Sequence, residues 1–298
     1  MTNRSMQFSG PSATPATRSA RARDIRGYAV FDGGPAGEAH AMAHRLTDSG
    51  QWQIGRELLG DWLASHSGKG SDWLHLQFHM AIFELALGDW DAAYRRFNRE
   101  VLPAAASSAD ALTDAPALLW RLALSSPGPV VLPWEPVRRT ALAHMRSTVD
   151  PFVQLHHLMA LAGANDRAGI ERWLQTDSKA FGNAERRTLE RFAFAMLAVA
   201  SGLYHQAAKR LDAILPELVV VGGSHAQNQL FIQLSAWAAQ KAAHSAGVPP
   251  LTTSGEPSPG VVADLRSNRF RSVDHKPLRA AVIASPRSMS THVALHRL

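Results

Sequence analysis

The feature that most constrains the fold is a turn pattern that recurs along the chain. It consists of a glycine, an aromatic residue two positions later and a small residue five positions later, and it is clearest at Gly88, Trp90 and Ala93. This spacing is typical of a tetratricopeptide-like hairpin, in which two antiparallel helices approach closely at the small residue. Full or partial copies follow three further glycines, Gly50, Gly163 and Gly202.

The spacing of these glycines predicts the architecture. They are separated by 38, 75 and 39 residues, which fits a unit of about 38 residues with one copy that has lost its glycine. In the copy after Gly163, Asn165 replaces the aromatic residue and Ala168 supplies the small one. We therefore predict an all-α fold, a right-handed α-α superhelix of tetratricopeptide-like hairpins with disordered termini.

The helices are expected in pairs. No stretch alternates with a period of two residues for long enough to predict a sheet. The third pair has a longer, proline-rich connection, Ser125 to Pro133, which accounts for the missing glycine. The predicted helices cover 37–49 and 51–66, 72–87 and 89–102, 110–125 and 134–148, 151–162 and 165–176, 184–201 and 203–217, and finally 224–244.

The charge is concentrated at the two ends of the chain. The formal net charge is +6, yet five arginines against one aspartate give residues 1–27 a charge of +4. Seven basic against three acidic residues give 251–298 another +4, so the body between them carries −2. We predict a disordered basic extension over 1–27, a helical repeat domain over 28–246 and a poorly ordered basic tail over 247–298. A body without net positive charge argues against a nucleic-acid partner.

Composition excludes several classes of protein. The chain has no cysteine, so disulfides, thiolate zinc sites and cysteine nucleophiles are excluded. The longest apolar run is about nine residues, too short for a membrane-spanning helix. We expect a cytoplasmic protein with no membrane partner.

Two histidine pairs occupy successive hairpins. His40 and His44 are four residues apart on one predicted helix, and His75 and His79 are four apart on the corresponding helix of the next hairpin. Residues four apart share a helix face and can chelate one metal ion. His40 and His44 lie 10 and 6 residues before Gly50, and His75 and His79 lie 13 and 9 residues before Gly88. The offset of three residues is about one helical turn, so the two pairs fit neighbouring stripes on adjacent inner helices.

The helix predicted over 72–87 supports this placement. At about 100° per residue it has two apolar flanks, with His75 and His79 on one strip between them and Gln77 and Glu84 on the opposite strip. The flanks are Leu74, Phe78, Ala81 and Leu85, and Leu76, Met80, Phe83 and Leu87. The imidazoles are then either hydrogen-bonded within the helical interior, or they bind a metal or an anionic ligand or transfer protons.

Two further segments carry candidate residues. In GGSHAQ, which contains His225 and Gln227, a double glycine precedes a helix start. That arrangement suits an anion, although Ser224 and Gln227 also have the spacing of a capping box. In LTDAPALLWRL, Asp114 is expected to cap a helix. Arg121, two turns further on, is either a buried charge partner or an anion clamp.

These segments resemble a known family. HAMAHRLTDSG, LHLQFHMAIFELALGDWDAA, LTDAPALLWRL, FVQLHHLMALAGA and GGSHAQ, in this order, are similar to the tetratricopeptide repeat protein 38 family, whose bacterial members include StaR-like proteins. The resemblance covers about residues 38–244. It implies a tetratricopeptide-like fold and a characteristic set of histidines, which correspond to His40, His44, His75, His79, His156 and His225.

The chain also departs from the pattern of that family. Phe78 stands where a tryptophan is usual, Gln154 where an aspartate is usual, and Asn228-Gln229 where Arg-Asp is usual. Family members are commonly longer, with further helices before this point. A shorter relative would expose an apolar end of its solenoid, which predicts a homo-oligomer or a larger assembly.

Two functions remain open on the sequence. The first is a binding or scaffold protein whose concave face holds a protein or peptide partner. The second is an enzyme or a protein that binds a small molecule or a metal through a histidine-lined groove, in specialised metabolite biosynthesis. For the second, the candidate ligands of a divalent metal are His40, His44, His75 and His79, and the candidate groove residues add Arg121, His156, His225 and Gln227.

Overall fold

A computed structural model of the protein describes residues 34–176 and 181–245, except for the side chains of Val219 and His225. Within these ranges every regular element is helical and no strand occurs, so the predicted all-α fold of helical hairpins is confirmed. The predicted terminal segments, 1–27 and 247–298, lie outside the described residues. None of the described helices is both long enough and apolar enough to cross a membrane.

The described chain contains twelve α-helices and three other helical elements. These are a π-helical turn (Phe97–Val101) and two 3₁₀ segments (Ala109–Ala111 and Leu215–Val220). The α-helices are α1 (Gly34–Asp48), α2 (Trp52–Ser65), α3 (Ser71–Ala86), α4 (Trp90–Arg96), α5 (Leu102–Ala105), α6 (Asp114–Leu124), α7 (Trp134–His144), α8 (Pro151–Gly163), α9 (Arg167–Leu174), α10 (Asn183–Ala200), α11 (Tyr204–Ile214) and α12 (His225–Ser245).

The four repeated turns share one hydrogen-bonding arrangement. In each, a backbone N–H beyond the helix end donates to the carbonyl five residues earlier at 2.8–2.9 Å, as in the Schellman motif. The four bonds join Gln51 to Leu46, Asp89 to Glu84, Asp166 to Leu161, and Leu203 to Ala198. The residue before each donor has a left-handed φ of 70°, 80°, 56° or 69°, and these residues are Gly50, Gly88, Asn165 and Gly202.

The third of these turns differs from the prediction. Asn165, not Gly163, has the left-handed backbone, which asparagine tolerates better than most residues. The small residue predicted at Ala168 is therefore out of register, and the position five after Asn165 is the buried Ile170. Gly163 ends α8, where a Cβ atom would lie 2.5 Å from the ring of Trp134. The left-handed residue of the turn therefore recurs at Gly50, Gly88, Asn165 and Gly202.

Several other helix boundaries differ from the sequence prediction, and the largest differences include the two ends of the segment between α4 and α6. The helix expected to end at 102 continues through the π-helical turn to Ala105, so Pro103 lies inside it. A π-turn widens the helix locally, and proline lacks the N–H that a regular α-helical turn would use. The helix expected from 110 begins only at Asp114, after a 3₁₀ turn.

The hairpins stack so that one helix of each pair contacts the equivalent helix of the next. The first helices form the series α1, α3, α6, α8 and α10, while α2, α4, α7, α9 and α11 pack behind them. The two predicted flanks of α3 enter different cores. Leu76, Met80 and Phe83 pack with α1 and α2, whereas Leu74, Phe78, Ala81 and Leu85 join the main core.

The last helix covers the inner surface of the stack. α12 packs against α11 and also contacts α6 and α1. Trp237 of α12 lies 5.6 Å from Trp120 of α6, and Phe231 lies 5.4 Å from Phe192 of α10, measured between ring centroids. The chain itself therefore covers part of the surface that the sequence assigned to a partner.

The close approach of α2 to α3 generates a stability prediction. A Cβ atom on Gly55 would lie 2.4 Å from the ring of Phe83, whereas one on Gly60 of the same helix would lie 3.5 Å from Met80. We expect Gly55→Ala to lower the free energy of unfolding by about 1–3 kcal/mol through overpacking. Gly60→Ala should raise it by up to about 1 kcal/mol, because alanine favours the helix. Urea denaturation measures both, and equal effects would contradict the packing.

Candidate metal centre

Two neighbouring helices bring the predicted histidine pairs together. α1 contributes His40 and His44, and α3 contributes His75 and His79. α1 is held against α2 and α3 by small buried residues, Ala39 and Ala43, which allow its backbone to approach closely. The four side chains, called here the four-histidine cluster, are graded in exposure. The pair on α1 is half-buried and the pair on α3 is buried.

The four imidazoles converge on one point. Each offers one ring nitrogen, and these four atoms lie within 4.8 Å of one another. Four points that close lie within about 3 Å of a common centre, whereas zinc–nitrogen bonds are about 2.0–2.1 Å long. Small side-chain rotations would therefore bring all four nitrogens to bonding distance. The prediction that these histidines converge is confirmed by the geometry.

Within the cluster the rings contact across the helix boundary. His40 and His44 are joined by a hydrogen bond of 2.8 Å between their Nε2 atoms. Across the boundary, the ring centroids of His44 and His79 are 4.5 Å apart, and those of His40 and His75 are 5.0 Å apart. The cluster is one interhelical group, and an ion at its centre would bind α1 to α3.

His75 is oriented by a buried carboxylate. Its Nδ1 donates to both carboxylate oxygens of Asp114 on α6, at 3.0 Å and 2.9 Å. In the neutral ring the lone pair then lies on Nε2. A carboxylate that accepts from the far nitrogen of a metal-binding imidazole fixes its tautomer and raises its basicity. Asp114 was expected to cap α6; that prediction was wrong, because its side chain binds His75.

His79 is the most deeply buried of the four histidines. Its side chain is buried, and neither ring nitrogen has a hydrogen-bond partner among the described residues. A buried polar group without a partner costs about 1–3 kcal/mol. An imidazole that donates its lone pair to a metal ion lowers that cost, because one of its two ring nitrogens then has a partner.

Burial favours the neutral form of three of the four imidazoles. Desolvation, reinforced by the charges of His75 and His44, lowers the pKa of His40 to about 3. Desolvation likewise lowers the pKa of His44, and it lowers the pKa of His79 well below its usual value. The neutral imidazole is the form that binds metals, and a group with a low pKa faces little proton competition near neutral pH.

The other predicted site residues have different environments. Arg121 is buried and donates to the carbonyls of Ala117 and Ala226. Gln227 forms the capping box, since its Oε1 accepts from the Ser224 N–H at 2.9 Å while its own N–H donates to Ser224 Oγ. The role of Gln227 is thus to cap α12.

The two remaining candidates are His156 and His225. His156 on α8 is buried, and its Nδ1 donates to the carbonyl of Phe152 at 2.9 Å. Desolvation lowers its pKa to about 4. His225 is the first residue of α12, but its side chain lies outside the described part of the molecule. Neither is part of the four-histidine cluster.

Two buried groups have surroundings that the sequence did not indicate. The carboxylate of Asp114 contacts a residue 39 positions away, and the only sequence signal was an acidic residue at the start of a very apolar helix. His157 is fully buried on α8, and neither of its ring nitrogens has a partner among the described residues. The apolar residues around His157 in the sequence do not indicate that its ring nitrogens would lack hydrogen-bond partners.

Comparison with known proteins adds no assignment. No protein-family model matches the chain, and no solved structure gives a significant match. The function is therefore inferred from the geometry of the site.

The buried imidazoles of α8 generate a prediction about pH. Desolvation lowers the pKa of His157 to about 3, so between that value and the usual 6.5 only the unfolded chain binds this proton. More protons on the unfolded state means that stability falls as the pH is lowered below 6.5. Below pH 6.5 this imidazole should cost the wild type about 1.4 kcal/mol of unfolding free energy for each pH unit, and His157→Leu should not show that cost.

Urea denaturation at pH 5 and pH 8, on metal-free protein, measures the effect. Between pH 8 and pH 5 the unfolding free energy of the wild type should fall by more than that of His157→Leu. A difference that is the same at both values would show that this imidazole is solvated or protonated in the native state.

Proposed function

We propose that this protein binds a divalent transition-metal ion in the four-histidine cluster. The observation that carries the proposal is the convergence of four ring nitrogens, within 4.8 Å of one another, on two adjacent helices. Two features support it: the carboxylate of Asp114 behind His75, and the buried nitrogens of His79 that have no partner among the described residues.

The donor set favours a particular group of metals. Imidazole nitrogen suits zinc, copper, nickel and iron, whereas calcium and magnesium prefer oxygen ligands. Four nitrogens around one centre match the coordination number that zinc adopts in proteins. We therefore take Zn²⁺ as the first ion to test and Co²⁺ as its spectroscopic substitute.

The position of the site links metal binding to the fold. α1 joins the stack through a small core of its own, and the cluster lies across the contact between α1 and α3. An ion bound by both helices stabilises the native state by an amount set by its concentration and affinity. At a free concentration one hundred times the Kd this is about 2.7 kcal/mol.

The decisive experiment is a metal titration of the full chain without a histidine tag. Metal-free protein should bind one equivalent of Zn²⁺, and Co²⁺ should give visible absorption bands. His79→Ala should abolish binding at this site. Asp114→Asn should weaken it about 10- to 100-fold, because the carboxylate orients a ligand without being one.

His205→Ala is the matched control, since this histidine is exposed on α11 and lies outside the cluster. It should bind Zn²⁺ as the wild type does. Unaltered binding by His79→Ala, or no stoichiometric binding by the wild type, would refute the metal site.

The other functional predictions from the sequence remain predictions. They comprise the scaffold role with a protein or peptide partner, the homo-oligomer, the cytoplasmic location, the enzymatic role in specialised metabolism and the resemblance to the tetratricopeptide repeat protein 38 family. The metal site is compatible with that resemblance and does not depend on it.

A further inference from the structure

The interior beside the four-histidine cluster holds a cation without a bonded counter-charge. Arg121 on α6 is only 9% exposed. Its guanidinium donates to two backbone carbonyls, that of Ala117 at 3.2 Å and that of Ala226 at 2.5 Å, and to no carboxylate among the described residues. The nearest acidic group on α6, Asp114, is bonded to His75.

Three donors of this guanidinium remain unused. An arginine side chain has five N–H groups in a planar fork, and the described residues accept from two of them. A buried cation is normally paired and hydrogen-bonded, since burial without a partner is costly. The carbonyl contacts fix the position of Arg121 between α6 and α12 but do not neutralise it.

Arg121 is close to the cluster. Its Cζ atom lies 5.4 Å from the centroid of the Phe78 ring. The same ring lies 5.6 Å from the centroid of His75 and 5.7 Å from that of His79. The guanidinium is thus one aromatic ring away from two of the four imidazoles, on the side of the cluster that faces the interior.

The charges of this region do not balance when the site is filled. Four neutral imidazoles bring no charge, a divalent ion brings +2 and Arg121 brings +1. Among the described groups that act on the cluster, Asp114 and Asp48 are anionic: Asp114 is bonded to His75, and the charge of Asp48 raises the pKa of His44. A net charge of about +1 then remains in a largely buried space, where the low dielectric makes uncompensated charge expensive.

We propose that the metal-loaded protein binds a small oxyanion beside the four-histidine cluster, with the guanidinium of Arg121 as its anchor. The inference rests on the metal site proposed above. A carboxylate or a tetrahedral oxyanion offers acceptors only, which matches the unused donors, and two of its oxygens can accept from the planar fork of arginine. Arg121 here acts as the ligand-binding residue, and the metal supplies the remaining positive charge.

The test has two stages, both by titration calorimetry on the full chain. Zn²⁺ is first titrated into the metal-free protein, which tests the metal site alone. Sulfate and acetate are then titrated, in separate arms, into metal-free and Zn²⁺-loaded protein. Sulfate represents a tetrahedral oxyanion and acetate a carboxylate, so the two arms distinguish the ligand classes.

We expect at least one anion to bind the Zn²⁺-loaded protein about tenfold or more tightly than the metal-free protein. By linkage the anion should raise the Zn²⁺ affinity by the same factor. Arg121→Met should weaken anion binding about tenfold or more while Zn²⁺ still binds. Arg95→Met, which removes an exposed arginine on α4, is the control and should change neither.

Each outcome decides one question. Zn²⁺ binding without any effect of sulfate or acetate would overturn the oxyanion site and leave the metal site standing. Anion binding that survives Arg121→Met would overturn the role of Arg121. Failure of Zn²⁺ itself to bind would refute the metal site, and the oxyanion inference with it. If Arg121→Met does not fold, Arg121→Lys and the wild-type linkage decide, because both are measured on folded protein.

Discussion

The side-by-side packing of α1 and α3 is the constraint on which the site depends. Each helix carries two imidazoles four residues apart, so each presents both on one face. Ala39 and Ala43 let α1 approach closely, and the two faces meet at a single point. The four histidines, which come from two separate helices, therefore form a single set of nitrogen donors, and all four lie on regular helical backbone. The helical hairpins thus serve as a rigid support, which is what a precise ligand geometry requires.

Around this point the interior is organised in successive layers. α6 supplies Asp114, which orients His75, and two turns later Arg121, which reaches the N-terminal turn of α12. α12 in turn covers the inner surface of α6, α8 and α10. The polar groups of the inner helices therefore lie inside the molecule, in a space closed partly by the chain itself. Such an environment favours a small ligand such as an ion over an extended peptide.

The parts of this structure that follow local rules can be predicted from the sequence. The spacing of the turns predicts the hairpins, and the periodicity along α3 predicts both apolar flanks and the strip that holds His75 and His79. Non-local contacts cannot be predicted in this way. Nothing near Asp114 indicates a partner 39 residues away, and the position of α12 follows from long-range packing.

A smaller failure has a local cause. The left-handed turn after α8 is formed by asparagine, while the nearby Gly163 is required for contact with Trp134. A search for glycine alone therefore placed the turn two residues too early. Similarly, Arg121 was recognised as a buried partner or an anion clamp, but only the structure shows that its carboxylate neighbour is bonded to a histidine.

The most direct test of the central claim is X-ray absorption spectroscopy of the Zn²⁺-loaded full-length protein. The account predicts a first shell of nitrogen at about 2.0–2.1 Å, with the multiple-scattering signature of four imidazoles at one zinc. A shell dominated by oxygen, or one with fewer than three imidazoles, would show that the four side chains do not act together and would contradict the claim.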